Sequence, residues 1–98
     1  MILVTGSILA RADSLDELRA LSLEHVRRSR AEPGCLAHAV HQDGENPLRL
    51  VFVEEWSDRA ALLAHFSVPA SRAFVKAGGA LAAQPPTLSI YDVASVQR

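Results

Sequence analysis

From Leu48 to Trp56 the chain reads LRLVFVEEW, a short run rich in bulky apolar residues. A period of two is the signature of a β-strand, which sends Leu48, Leu50, Phe52, Glu54 and Trp56 to one face and Arg49, Val51, Val53 and Glu55 to the other. Neither face is wholly polar. A short sheet with bulky apolar groups on both sides needs cover on both, helices on one side and a partner on the other. The chain has 98 residues, enough for one domain that buries roughly 60 to 65% of its unfolded surface and too few for a second hydrophobic core. Yet 49% of its residues are hydrophobic and Cys35 has no second cysteine to pair with. Both features point to a homodimer in which two sheets face each other.

The flanking segments supply the rest of an α+β order. Residues 2–10 are rich in Ile, Leu and Val and read as a first strand, with Gly6 marking a bulge or a close backbone approach. Asp13 or Ser14 can cap a helix over about 14–30, with Asp16 and Glu17 suiting its positive end. Leu15, Leu18 and Val26 share its apolar side, Arg19, Arg27, Arg28 and Arg30 supply polar cover, and Pro33-Gly34 stops it. Cys35 to Gln42 reads as a strand joined through Asp43-Gly44 and Pro47 to the strand ending at Trp56, an antiparallel hairpin. Ser57 or Asp58 can cap AALLAHF, and Pro69 opens a further helical segment with Ala70, Ala73, Phe74, Ala77 and Leu81 on one side. After Pro85-Pro86 a last strand is expected over about 87–94. The order β-α-β-β-α-β is the ferredoxin-like arrangement, one domain over residues 1–98, and by itself it says nothing of function.

Composition narrows the classes of partner. Ten basic residues against eleven acidic ones give a net charge of -1, with no basic block for a phosphate backbone, so no nucleic acid is expected. The opening MILVTGSILA lacks a basic leader and meets a charge at Arg11, too soon for a membrane span. A soluble cytoplasmic protein with no membrane partner is the expectation. One cysteine and four histidines without an HExxH pattern give a dedicated metal site little support, and no cofactor is expected.

Residues 32–66, EPGCLAHAVHQDGENPLRLVFVEEWSDRAALLAHF, resemble the antibiotic biosynthesis monooxygenase domain family, which includes small quinol monooxygenases. The most specific parts are Glu32-Pro33-Gly34-Cys35, Glu54-Glu55-Trp56 and Ala64-His65-Phe66. The resemblance implies a dimeric α+β barrel of ferredoxin-like subunits with a pocket between sheet and helices. It also implies oxidation of a small aromatic hydroquinone, phenol or anthrone-like substrate by molecular oxygen, without metal or flavin. The family often places a Pro-His pair after the Ala-His-Phe motif, whereas here Pro69 is followed by Ala70. Two other readings suit the fold: a dimeric module that binds a small ligand without turnover, and a non-redox isomerase or cyclase.

Cofactor-free use of oxygen needs a substrate made electron-rich by deprotonation, hence a base, anion stabilisation and a dry pocket. His65 is the candidate base, since imidazole titrates nearest neutrality; its plain alternative is a surface or partner-contacting histidine. Trp56 can stack on a substrate and offer its N–H to an oxyanion, or simply fill the core. Glu54 can hold His65 in one tautomer, or sit in a salt bridge at the strand end; Glu55 faces the other way unless a bulge reverses the pair. Phe52 shares the face of Glu54 and Trp56, His38 can reach the same cavity across the hairpin, and Phe66 adjoins His65. These three and Tyr91 are the candidate substrate-binding residues, although the Tyr91 hydroxyl can equally lie at the dimer edge. His41 looks like hairpin-end chemistry, Cys35 like core, and Arg27, Arg28 and Arg30 like a solvated helix face.

Overall fold

The Leu48–Trp56 run becomes the central feature of the sheet. The computed structural model describes residues 1–96. Its elements are β1 (Ile2–Leu9), α1 (Leu15–Ser29), β2 (Cys35–Gln42), β3 (Arg49–Trp56), α2 (Arg59–Ser67), α3 (Pro69–Leu81) and β4 (Thr87–Asp92). The four strands form one antiparallel sheet in the order β2-β3-β1-β4. This is the expected ferredoxin-like topology, with the second helical stretch divided in two. The division falls at Val68, which is extended because the ring of Pro69 disfavours helical backbone in the residue before it.

Three boundaries differ from expectation. The first strand ends at Leu9, and Ala10 instead bridges Ala82. The last ends at Asp92 rather than 94. Ser14 precedes α1, but its hydroxyl is turned away from the helix, accepting from Arg11 N–H and donating to the Leu81 carbonyl at 2.7 Å. It thus ties the start of α1 to the end of α3. Asp58 does cap α2, its carboxylate accepting from Ala61 N–H at 2.8 Å.

Strand parity decides the two faces. Ile2, Val4, Ile8, Leu50, Phe52, Glu54 and Trp56 are all buried beneath the helices. One part of this core joins Ile8, Ala10, Leu18, Val26, Leu50 and Phe52. The other joins Ile2, Val4, Trp56 and Leu62. The opposite face carries Leu3, Val51, Val53 and Tyr91 with no helix over it. Gly6 stands in an unbroken ladder rather than a bulge; a Cβ there would come within 3.0 Å of the Thr87 carbonyl, which is the close approach that glycine permits. The irregularity lies instead in β2, between Cys35 and Ala37, and leaves Leu36 exposed. Gly34, with φ of 81°, turns the chain from α1 into β2 where a side chain would collide with Ala61 and Ser57. No helix among the described residues is long and apolar enough to cross a membrane.

Candidate active site

At the Trp56 end of β3 the buried face turns from hydrocarbon to polar. β3 contributes Glu54 and β2, in register with it, contributes His38. α1 brings His25 from the buried stripe that also holds Leu18, Ser22 and Ser29, and α2 brings His65. All four side chains are nearly removed from solvent. The three imidazole centroids lie 5.2 to 5.5 Å apart. Buried polar groups need partners, and here two short chains of contacts provide most of them.

The first chain runs through charges that sit in and just after α1. His65 Nδ1 is 2.9 Å from Glu32 Oε1, and Glu32 Oε2 accepts from Arg28 at 3.2 Å. A carboxylate only accepts, so His65 donates from Nδ1, and in the neutral ring Nε2 is the nitrogen that keeps a lone pair. Arg28 also donates to His25 Nδ1 at 2.7 Å. A guanidinium only donates, so Nδ1 of His25 accepts and its proton sits on Nε2. The two histidines are thereby set in opposite tautomers by one Glu-Arg pair. Ser71, from α3, lies 3.4 Å from both His65 Nδ1 and Arg28. Burial, then the neighbouring His38, His65 and Arg28, lowers the His25 pKa to about 3, so it stays neutral across the physiological range.

The second chain centres on Glu54 Oε1. It accepts the Trp56 indole N–H at 2.9 Å, lies 3.3 Å from His38 Nε2 and 4.0 Å from His65 Nε2. Burial would raise the Glu54 carboxyl, but His38, Trp56 and His65 outweigh it and hold it below the usual carboxylate range. His38 meets Glu54 out of line for a hydrogen bond, so neither of its ring nitrogens has a hydrogen-bond partner.

Above these groups opens a cavity of about 700 Å³, with His25, Glu54, His65 and Ser71 on its floor and Phe52, Phe66, Phe74, Val75 and Leu88 in its apolar walls. Phe74 stacks on His25 at 4.1 Å and meets Phe52 edge-on. A cavity of this size, apolar with a few convergent polar groups, suits a small aromatic molecule.

The sequence candidates sort clearly. His65, Glu54, Phe52 and Phe66 all reach the cavity. Trp56 does not line it: the indole is fully buried, packs 4.6 Å from the His65 ring and spends its N–H on Glu54. It supports the site rather than stacking on a ligand. Glu54 is not the group that holds His65 in its tautomer; Glu32 is. His38 faces the same polar centre but lies behind His25 and His65, away from the cavity wall. Tyr91 pairs with Leu3, so strand parity turns it to the open face of the sheet, away from the cavity. His41 likewise lies on that open face, exposed and paired with Val51.

Four groups were not singled out from sequence. Ser71 carried no motif. Glu32 was read only as part of a motif, and Arg28 as solvated cover. His25 had a findable signal: it is a histidine on the same helical stripe as Leu18, Ser22 and Ser29, where an apolar residue is the norm. Arg30 stays exposed yet donates to the His38 carbonyl at 2.9 Å. Cys35 is half-buried against Trp56 and its neighbours, and burial together with Glu32 and Glu54 pushes its thiol up. One nitrogen of each of His25, His38 and His65 lies within 4.8 Å of the others, a donor set with no HExxH spacing because it comes from three separate elements.

A ferredoxin-like chain with a buried base-and-acid centre under an apolar cavity is the class that fold and site define. Within that class, the pattern of the antibiotic biosynthesis monooxygenase family matches residues 1–77, and the chain belongs to that family. It is 36% identical over 96 residues to the uncharacterized protein sll1783 of Synechocystis sp., a match covering 98% of this chain. The chain spans 65% of the length of that relative. Among solved structures, one described as an antibiotic biosynthesis monooxygenase superposes with a TM-score of 0.89 at 32% identity, covering 97% of this chain and all of the other. PA3566 from Pseudomonas aeruginosa superposes at 0.83 with 28% identity over 95% of this chain and 94% of its own. Rv0793 from Mycobacterium tuberculosis shares the fold, with a TM-score of 0.91 at 24% identity over 99% of this chain and 98% of its own.

Proposed function

We propose that the chain oxidises a small aromatic hydroquinone, phenol or anthrone-like substrate with molecular oxygen, using its own side chains. The observation that carries this is the Glu32–His65 pair, which leaves the Nε2 lone pair of His65 beside an apolar cavity of about 700 Å³. His65 takes the acidic proton of the bound substrate, and the apolar walls keep water from solvating the resulting anion. The anion passes one electron to oxygen, and the substrate radical and superoxide combine, with return of the proton, to a hydroperoxide. Loss of water then leaves a carbonyl, so one oxygen atom enters the product and the other departs as water. His25, neutral and protonated on Nε2, is the hydrogen-bond donor for the oxyanion.

We further propose that two copies pair through the open sheet face. Leu3, Val51 and Val53 lie there beside Tyr91 with no helix to cover them. Sedimentation should give a dimer for the native chain and a monomer for Val53→Lys.

The activity is tested by oxygen uptake of metal-stripped protein with a panel of hydroquinones and anthrones, corrected for autoxidation. Enzyme-dependent uptake that disappears in His65→Ala is the expected result. Uptake equal to autoxidation across the panel overturns the reading and favours a binding module or non-redox chemistry; enzyme-dependent uptake untouched by His65→Ala overturns the assignment of His65 as the base.

A further inference from the structure

We propose that the polar centre is a binding site for a divalent first-row transition metal ion, held by His38, His65 and Glu54. Three observations converge on it, and none depends on the proposed oxidation.

The first is His38. Its ring is buried between sheet and helices, and both ring nitrogens lack a hydrogen-bond partner; among the described residues the only other buried side-chain atom so placed is Ser22 Oγ. Folded proteins rarely leave buried polar atoms without aligned partners, and the Nε2 of His38 has only its out-of-line contact with Glu54 at 3.3 Å. A cation between that nitrogen and the carboxylate gives the lone pair an aligned partner.

The second is geometry. His38 Nε2 and His65 Nε2 lie 3.3 and 4.0 Å from the same oxygen, Glu54 Oε1. Metal–nitrogen bonds of about 2.0 to 2.1 Å set neighbouring donor atoms roughly 3.3 Å apart. One pair already stands at that spacing, the other is 4.0 Å apart, and a nitrogen of each ring lies within 4.8 Å of the other. Two imidazoles and a carboxylate converging from one side leave the cavity side open, an arrangement that takes iron, zinc and cobalt ions.

The third is the surroundings of the ligands. His65 gives its second nitrogen to the Glu32 carboxylate, and Glu54 accepts from the Trp56 indole. Supporting contacts of this kind orient metal-binding histidines and carboxylates and raise their affinity. Two carboxylates against the single Arg28 guanidinium leave the cluster one negative charge to offset. His25 is excluded as a ligand, although one of its nitrogens is close, because Arg28 occupies Nδ1 and so places a proton on Nε2. It is instead a donor to whatever occupies the open position.

An ion here takes the lone pair on His65 Nε2 that the proposed base needs. Metal occupancy and proposed turnover are therefore antagonistic, and they are measured separately. The test is titration of the chelator-stripped chain with Co²⁺, followed by visible ligand-field absorption without substrate. One ion per chain is expected, with affinity falling at least tenfold in His38→Ala and roughly 10- to 100-fold in Glu32→Gln, and unchanged in His41→Ala. Should His38→Ala fail to fold, paramagnetic broadening in the unmodified chain gives the same answer: the ring resonances of His38 and His65 vanish with Co²⁺ while those of His41 persist. No Co²⁺ bands, or binding that survives loss of His38, or binding lost with His41, overturns the site. Zinc added to a turnover assay then separates the two readings, since a failed metal site leaves oxygen uptake unaffected by zinc and a failed oxidase leaves the cobalt spectrum intact.

Discussion

The helix-covered face of the sheet has two ends made by the same strand and put to opposite uses. Toward the start of β3, Leu50 and Phe52 pack with Ile8, Leu18 and Val26 and contain no buried charge. Toward its end, Glu54 meets His38, His65 and the Trp56 indole N–H at hydrogen-bond or ion-pair distances, while the rest of Trp56 packs on Ile2, Val4 and Leu62. The first end stabilises by removing hydrocarbon from water, at about 25 cal/mol per Å². The second costs desolvation and returns defined protonation states. The contrast shows why so small a chain can tolerate a buried polar centre: the adjoining apolar end and the walls around Phe74 supply the burial that the centre does not.

Several substitutions sharpen that division. The largest effect is expected from His65→Ala, which should lower oxygen uptake about 10²- to 10⁴-fold, the range for loss of a positioned base, while the variant still unfolds cooperatively. Leu18→Ala, at the apolar end, should do the reverse. Leu18 is fully buried, so denaturant unfolding should show a loss of about 2–5 kcal/mol, with activity per folded molecule retained. If Leu18→Ala removed activity in fully folded protein, the two ends would not be separable.

Acid should attack the polar end first. His25 has its pKa lowered from 6.5 to about 3 by burial and by its neighbours. The unfolded chain therefore takes up a proton at His25 below about pH 6.5 that the folded chain refuses, so stability contributed by this site is intact above that pH and declines as pH falls toward 3. In the metal-free protein His25→Gln should flatten that part of the stability-against-pH curve. An unchanged curve would mean that His25 is protonated when folded. The smallest effect is expected at the cap of α2: Asp58→Ala loses the hydrogen bond to Ala61 N–H and should cost about 1 kcal/mol, seen as a lowered Tm.

What the sequence revealed follows the same division. Period-two alternation placed Phe52, Glu54 and Trp56 on one face, and it sufficed because a strand repeats its geometry regardless of its partners. Whether Trp56 faces a ligand or the core was not legible, since parity fixes the side of the sheet and not what lies above it; Leu62 and His65 cover it. The sequence offers Glu54 as a candidate to hold His65, with a strand-end salt bridge as its alternative, whereas the group that holds His65 is Glu32, 33 residues away in the turn after α1. Arg28 reads as solvated because arginines on a helix normally are; its contacts with His25 and Glu32 follow the i−3 and i+4 spacing of a helix, whereas its contact with Ser71 depends on how α1 packs against α3. Long-range contacts such as Arg28–Ser71 and His65–Glu32 leave no periodic trace in the chain.

The opposite tautomers of His65 and His25 are the centre of the proposed chemistry, and nitrogen NMR reads them without a substrate. In the ¹⁵N–¹H long-range correlation of the metal-free protein at neutral pH, His65 should carry its proton on Nδ1 and His25 on Nε2. A proton on Nε2 of His65, or on Nδ1 of His25, would contradict the assignment of base and donor.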